Sequence, residues 1–399
     1  MFDNITHISN SHFYNIFFIM VVIWSAGALL EKIKIPLIVG QLFAGIIIGP
    51  AVLNLVKDTQ EIQVLAKLGM FFLMFFAGFK TNPQKIHKTI FSSMLIGLLG
   101  TIFPFILGFI VIYYSGGTLL QALFIGTAIS GTSLVTKTRI LEDFNILKSK
   151  IGYSMVGSAI FDNIASFVIL ALLVKSAKSD QLVMSEAIFT SLEVIAFFTL
   201  TIFIGHIIFP KASKMFSSKK ANGFTFALVM GLLFALLAEL VHLPYVLGAY
   251  LAGLFVREEI MSKELYQKMG DRLMAITHGF LGPFFIISIT FKMSFSILWE
   301  QPFVVILVIL AAFIGKFTGV LLGARISRFG WRDSLAMSAG MNGRGAVELV
   351  FAAVGVELGV LNDVHLSMLI FVAFITTLVT PFLLQEILGT GFLGKRLRK

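Results

Sequence analysis

The sequence predicts an all-α, polytopic membrane protein with about 13 transmembrane helices. First, the 399 residues are 57% hydrophobic and only 13% charged, whereas about a quarter of a soluble domain is charged. Second, apolar runs of membrane-spanning length recur along the whole chain. Third, basic residues concentrate in alternate loops, as in proteins that cross a bilayer repeatedly. A porin-type barrel would instead show alternating segments of about ten residues.

Thirteen spans follow from these apolar runs, and we expect one membrane domain over residues 1–399. They lie at 13–30, 37–56, 63–79, 89–114, 118–139, 148–174, 182–209, 222–241, 243–256, 270–296, 301–325, 332–357 and 363–389. The first run lacks a basic leader and a small-residue cleavage site, which indicates a retained helix. The chain has no Cys, so disulfide and thiol chemistry are excluded.

The distribution of basic residues predicts the topology. With the N-terminus outside, 24 of the 31 Lys and Arg residues fall in cytoplasmic loops and five in outside loops. Lys137 is counted among the cytoplasmic residues in this assignment. We therefore expect a cytoplasmic C-terminus and a multi-pass location in a bacterial inner membrane. The net charge of +10 reflects this topology, so no nucleic-acid partner is needed to explain it.

Two pairs of segments indicate an internal repeat. IPLIVGQLFAGIIIGP at 35–50 matches LPYVLGAYLAGLFVRE at 243–258, and LGMFFLMFFAGFK at 68–80 matches LGPFFIISITFK at 281–292. The members of each pair are seven spans apart, so the two copies cross the membrane in opposite directions. Inverted repeats of this kind are typical of secondary transporters. The predicted repeats cover approximately 31–175 and 240–390.

Polar interruptions occur at related places in the two repeats. The fifth span contains AISGTSLVTK at 128–137, and the twelfth contains SAGMNGRGAVEL at 338–349, about 211 residues later. We expect two crossed discontinuous helices whose exposed backbone groups need nearby charges. The residues that form or support these breaks are Gly131, Thr132, Ser133, Asn342, Gly343, Arg344 and Glu348.

Several ionisable residues fall inside apolar spans, where such residues are functional candidates by default. We expect Asp162 on the sixth span to pair with Lys316 on the eleventh. Arg344 and Glu348 stand at i and i+4, so a local structural ion pair is an equally good interpretation of both. Glu193 has no identified partner and is interpreted as structural or interfacial.

The motifs together resemble the cation:proton antiporter-2 family, which includes NapA-like Na⁺/H⁺ antiporters and Kef-type K⁺/H⁺ antiporters. The stretches that carry the resemblance are IPLIVGQLFAGIIIGP, FLMFFAGFKTNP, GTSLVTKTRILED, GSAIFDN, LPYVLGAYLAGLF, GKFTGVLLGAR and GMNGRGAVELVFA. The resemblance implies a homodimer of the NhaA/NapA-like fold and elevator-type exchange of a monovalent cation for protons. It also implies an ion site at Asp162 and Asn163, with Thr132 and Ser133 nearby and Lys316 as charge partner.

One position departs from the family pattern. Relatives carry a carboxylate at the second position of the acidic motif, and this chain carries Asn163 there. An amide can coordinate a cation but cannot titrate. Three accounts stay open. In the first, a cation displaces Lys316 from Asp162, and the lysine releases the proton. In the second, the chain is an Asp-to-Asn variant with impaired transport. In the third, it is a K⁺ efflux or sensor module without proton coupling.

Enzymatic function is not predicted. The seven His residues are scattered, and no H-E-x-x-H, G-x-S-x-G or P-loop motif occurs. We expect no cofactor and no metal site other than one for a monovalent cation, with membrane lipid as the surrounding partner. The last span is followed by GKRLRK, so we also expect no C-terminal nucleotide-binding domain of the Kef type. The sequence leaves the choice between Na⁺ and K⁺ open.

Overall fold

The computed structural model describes residues 12–32, 37–81, 89–134, 149–178, 222–256 and 263–388, with isolated positions between 137 and 147 and between 192 and 207. These residues are helical apart from the connections. The helices are α1 (His12–Lys32), α2 (Leu37–Ile48), α3 (Gln60–Lys80), α4 (Ile90–Tyr114), α5 (Leu119–Ser130), α6 (Lys150–Lys178), α7 (Asn222–Leu240), α8 (Tyr245–Phe255), α9 (Lys263–Ile276), α10 (Gly282–Phe291), α11 (Ile297–Glu300), α12 (Pro302–Ile326), α13 (Trp331–Gly340), α14 (Ala346–Glu357) and α15 (Asp363–Leu388).

Most helices begin and end within a few residues of the predicted spans, but α2 ends at Ile48 instead of 56, α5 ends at Ser130 instead of 139, and α9 begins at Lys263 instead of 270. In the described part of the chain, seven helical segments are long and apolar enough to cross a membrane. The predicted twelfth span is divided into α13 and α14, and the tenth contains a π-helical turn at Thr277–Leu281 between α9 and α10. The predicted span at 182–209 and Glu193 lie largely or wholly outside the described residues. The total of 13 spans therefore stays a prediction.

The helices form two groups. The site bundle comprises α4, α5, α6, α12, α13, α14 and α15, which pack mainly on one another. The flanking bundle comprises α1, α2, α3, α7, α8 and α10. Helices α14 and α15 supply most of the packing between the two bundles, against α3, α10 and α2.

Helices α4 and α12 form the most extensive helix pair, and glycines allow their close approach. A β-carbon at Gly315 would lie 2.6 Å from the Cα of Pro104, and one at Gly323 would lie 2.7 Å from the Cα of Ile96. Small residues permit this approach between membrane helices. The backbone contact holds Lys316, next to Gly315, in the interior of the site bundle.

The glycines of the two related segments make reciprocal contacts. Gly45 on α2 packs against Ile287 and Thr290 of α10, whereas Gly253 on α8 packs against Phe75 and the backbone of α3. In the predicted repeat, α2 corresponds to α8 and α3 to α10. Each of these contacts therefore joins a helix of one predicted copy to a helix of the other. The repeat boundaries themselves stay a prediction.

Replacement of Gly253 by alanine tests this packing. A β-carbon there would press on the carbonyl oxygen of Phe75, because the α3 and α8 backbones are in contact. We expect Gly253→Ala to destabilise the protein by about 1–3 kcal/mol through overpacking, measured as a lower thermal unfolding midpoint in detergent. Gly279→Ala is the matched control, because a β-carbon at Gly279 has no neighbour within 4 Å. Equal midpoints for the two variants would contradict the close contact.

Candidate functional site

Asp162 lies at the centre of the site bundle and is fully buried on α6. Its carboxylate accepts hydrogen bonds from Thr101 on α4 at 2.5 Å, from Thr132 after the end of α5, and from Lys316 on α12. The Lys316 Nζ–Asp162 Oδ2 distance is 2.8 Å, and both side chains are fully buried. The Asp162–Lys316 pair that the apolar surroundings predict is present. Three other elements of the bundle thus converge on this one carboxylate.

The first predicted break is the C-terminal end of α5. The helix ends at Ser130, and Gly131 has the extended angles φ −59° and ψ 153°. Carbonyl groups at a helix C-terminus lack intrahelical donors and carry partial negative charge. Here Lys316 donates to the carbonyl of Ser130 at 2.7 Å, and Arg344 donates to that of Gly131 at 3.1 Å. Two cations therefore compensate the end of this helix.

The second break lies between Gly340 and Ala346, where α13 ends and α14 begins. Asn342 donates from its side chain to the carbonyl of Ser338 at 2.9 Å, which caps α13. The break is also held to α15, because the backbone N–H and C=O of Arg344 both hydrogen-bond the Thr377 hydroxyl. The predicted residue Gly343 lies within this segment.

The Arg344 side chain joins the two breaks. Its guanidinium donates to Gly131 at the first break and, at 3.0 Å, to the carbonyl of Ala312 on α12. It also lies beside Glu348, with 3.8 Å between Arg344 Nε and Glu348 Oε2. Glu348 stands in the first turn of α14, where a negative charge interacts favourably with the helix dipole. Arg344 and Glu348 therefore form a local ion pair, and Arg344 also makes long-range contacts.

Asn163 is fully buried beside Asp162, and its side chain is unpaired among the residues that the structure describes. Neither its Oδ1 nor its Nδ2 has a hydrogen-bond partner there, and the same is true of the Ser166 hydroxyl on the same helix. On this side of α6, Phe167 contacts the rings of Tyr250 on α8 and Phe351 on α14. A buried unpaired polar group costs about 1–3 kcal/mol. The Asn163 carbonyl oxygen is thus a candidate ligand for a cation.

Thr132 and Ser133, which the resemblance placed near the ion site, are both buried after the end of α5. Thr132 contacts Asp162 directly, and Ser133 accepts a hydrogen bond at its carbonyl from the backbone N–H of Lys137 at 3.1 Å. The structure brings these residues together with Asp162, Lys316 and Arg344 in one buried cluster.

Lys137 lies inside the protein, whereas the distribution of basic residues predicts a position in a cytoplasmic loop. The topology assigned it to a cytoplasmic loop, but its side chain is only 1% exposed. Its Nζ has no hydrogen-bond partner among the described residues, and it interacts electrostatically with Asp162, Lys316 and Arg344. The sequence contains one indication of an interior position. The offset of 211 residues between the two breaks also relates Lys137 to Glu348, which falls inside an apolar span. A loop assignment is wrong because Lys137 lies inside the packed bundle.

Comparison with known proteins agrees with this architecture. The family model described as sodium/hydrogen exchanger, transmembrane, matches residues 16–389. The chain belongs to the sodium/hydrogen exchanger family. The resemblance to cation:proton antiporters is thereby confirmed, and the protein is a multi-pass membrane transporter rather than an enzyme.

Individual members of the family match the chain nearly end to end. The Na⁺/H⁺-K⁺ antiporter GerN of Bacillus cereus is 28% identical over 94% of this chain and 96% of its own length. The Na⁺/H⁺ antiporter of Enterococcus hirae is 25% identical over 89% of this chain and 92% of its own length. The solved structure of the sodium proton antiporter MjNhaP1 from Methanocaldococcus jannaschii has a TM-score of 0.73 at 17% identity, covering 95% of this chain and 96% of that one. This last likeness shows that the fold is shared.

Removal of Lys316 tests the buried ion pair. We expect Lys316→Met to lower stability by about 3–5 kcal/mol, because Asp162 would be left charged and unpaired. The double variant Asp162→Asn/Lys316→Met should unfold at a higher temperature than Lys316→Met alone, since it removes both charges. Lys268→Met, at an exposed surface pair, is the control. A single variant as stable as the starting protein would show that the pair does not form.

The hydroxyl of Thr101 provides a second test of the site. Thr101→Val removes the hydrogen bond to Asp162, and we expect a loss of about 1.5–3 kcal/mol because the acceptor is charged. Thr318→Val on α12 is the matched control, because the Thr318 hydroxyl bonds only to carbonyls of its own helix. Thermal unfolding of both variants in detergent measures the difference. A larger loss in Thr318→Val would contradict the role given to Thr101.

Proposed function

We propose that this protein exchanges a monovalent cation, Na⁺ or K⁺, for protons across a membrane. The observation that carries the proposal is the buried Asp162, paired with Lys316 beside two helix breaks and next to the unpaired amide of Asn163. Membership of the sodium/hydrogen exchanger family supports it. The relatives include a Na⁺/H⁺ antiporter and a Na⁺/H⁺-K⁺ antiporter, so both cations are candidates.

In the proposed binding step, oxygens of Asp162 and Asn163 coordinate the cation. The ion competes with Lys316 for the Asp162 carboxylate, because one carboxylate cannot serve both positive charges equally well. Thr132 and Thr101 hold the carboxylate in place through their hydroxyl groups. Asn163 supplies a carbonyl oxygen and has no proton to exchange. The exchanged proton must therefore come from another group.

We also propose an elevator-type movement of the site bundle against the flanking bundle. All the buried charges of the described residues belong to the site bundle, and side-chain contacts across the boundary include the rings of Phe167 and Tyr250. A boundary made of aromatic contacts of this kind can slide without breaking ion pairs. In this proposal the flanking bundle forms a homodimer in a bacterial inner membrane, with the N-terminus outside and the C-terminus in the cytoplasm.

The amide of Asn163 is the one observation that favours a second function. An amide at the position where relatives carry a carboxylate cannot switch its charge with pH. A K⁺ efflux or sensor module without proton coupling, or a transport-impaired Asp-to-Asn variant, would show this arrangement. These candidates predict cation binding or movement that does not drive protons, so the same transport assay separates them from an antiporter.

The assay measures cation-driven proton movement in vesicles that contain the purified protein. We expect Na⁺ or K⁺ gradients to move protons in the unmodified protein, and we expect Asp162→Asn to abolish this movement because the cation loses its charged ligand. Lys268→Met should behave as the unmodified protein, because its side chain is exposed and remote from the site. A silent protein whose activity appears only in Asn163→Asp would establish the impaired variant instead. Activity that survives Asp162→Asn would overturn the proposed site.

A further inference from the structure

Five charged side chains are fully buried in the part of the chain that the structure describes, and all of them belong to the site. Three are basic and two are acidic: Lys137, Lys316, Arg344, Asp162 and Glu348. If all five are ionised, the cluster carries a net charge of +1. A bound monovalent cation would raise this charge to +2 in surroundings that screen charge poorly. Cation binding is therefore favoured when one basic group gives up a proton.

Only two of the three basic groups can do so, because an arginine guanidinium stays protonated in proteins. Lys316 donates hydrogen bonds to Asp162 and to the carbonyl of Ser130, and both contacts would weaken if it lost its proton. Lys137 has no hydrogen-bond partner among the described residues. Loss of its proton thus breaks no contact that the structure shows.

The backbone position of Lys137 also disfavours a positive charge. Its N–H donates to the carbonyl of Ser133, so Lys137 lies in the first helical turn that follows the break after α5. The N-terminal end of a helix carries partial positive charge and favours acidic residues. At the corresponding place after the second break, the chain carries the acidic residue Glu348. Lys137 therefore adds a positive charge where the inverted copy has a negative one.

We propose that Lys137 carries the exchanged proton of this transporter, in place of the carboxylate that Asn163 cannot supply. The inference rests on the proposed antiport function. When a cation binds between Asp162 and Asn163, one N–H bond of the Lys137 ammonium breaks. The electron pair stays on Nζ and the proton passes to water. One positive charge enters the site as another leaves, so the charge of the cluster is unchanged.

The charged groups facing Lys137 are consistent with this role. Asp162 on α6 stabilises the ammonium when no cation is bound, and Lys316 on α12 and Arg344 at the second break oppose it. A cation bound at Asp162 offsets the negative charge of the carboxylate, so the Lys137 ammonium loses the favourable interaction with it. Glu348 is the second buried carboxyl group among the described residues, and it lies 3.8 Å from Arg344. The variant Glu348→Gln, which removes this charge, is therefore tested separately.

The experiment measures two quantities in vesicles: cation-driven proton movement, and exchange of labelled cation for unlabelled cation without a proton gradient. We expect Lys137→Met to reduce proton movement by about ten-fold or more, because it has no proton to release, while cation–cation exchange continues. Lys137→Arg should lose both activities, since its charge is permanent. Lys268→Met is the matched control and should keep both. A lysine with only a packing role would not separate proton movement from cation exchange.

The double variant Asn163→Asp/Lys137→Met adds a positive test. It restores a titratable carboxylate while removing the lysine, and we expect proton-coupled exchange to return. Its pH profile should differ from that of the unmodified protein, because a carboxyl group and an ammonium group release their protons at different pH. Recovery of exchange also shows that the variants are folded.

The outcomes separate the inference from the function on which it rests. Proton movement that persists in Lys137→Met with an unchanged pH profile overturns the inference and leaves the antiport function standing. Loss of proton movement in Glu348→Gln, with normal movement in Lys137→Met, overturns it in favour of Glu348. An unmodified protein that moves neither cations nor protons overturns the proposed function and the inference together.

Discussion

Interrupted helices inside an apolar protein leave backbone carbonyl groups that must find donors, and the buried charges of this protein are arranged around that requirement. The carbonyls of Ser130 and Gly131 end α5, and Lys316 and Arg344 supply the donors. Each of these cations then needs an anion, because an isolated buried charge is strongly unfavourable. Asp162 and Glu348 provide them. The breaks, the cations and the carboxylates are therefore one interdependent unit.

Close backbone packing is what brings this unit together. The glycines of α12 let it contact α4, and the same contact brings Lys316 and Thr101 to different oxygens of the Asp162 carboxylate. A wider separation of α4 and α12 would increase at least one of these distances beyond hydrogen-bonding range. Small residues at the helix interface thus serve the chemistry of the site as well as the stability of the fold.

The charge balance of the site depends on the residue that follows Asp162. A carboxylate at position 163 would make cation binding and proton binding alternatives at one group, whereas the amide of Asn163 can take part only in coordination. When the nearby buried Lys137 releases its proton, the site loses one positive charge. This loss offsets the charge of a bound cation. In the proposed exchange of one positive charge for another, the proton and the cation occupy different side chains.

Much of the fold was predictable because membrane-spanning helices must be long and apolar, and because a charge in such a helix requires a partner. The interruption of the twelfth span and the pairing of Asp162 with Lys316 follow from that reasoning. The sequence could not indicate that Arg344 bonds to Gly131, because the two residues are more than two hundred positions apart and no local pattern relates them. It also could not show that Phe167, one helical turn after Asn163, contacts Tyr250 of the flanking bundle.

By itself, the sequence determined the class of protein and the positions of the breaks, because these depend on composition, apolar periodicity and local motifs. Only the tertiary structure decided where Lys137 lies. A lysine near the end of an apolar span can extend to the membrane surface or remain inside, and hydropathy is the same in both cases. In this structure the Lys137 side chain is buried, and its ammonium interacts with the other buried charges.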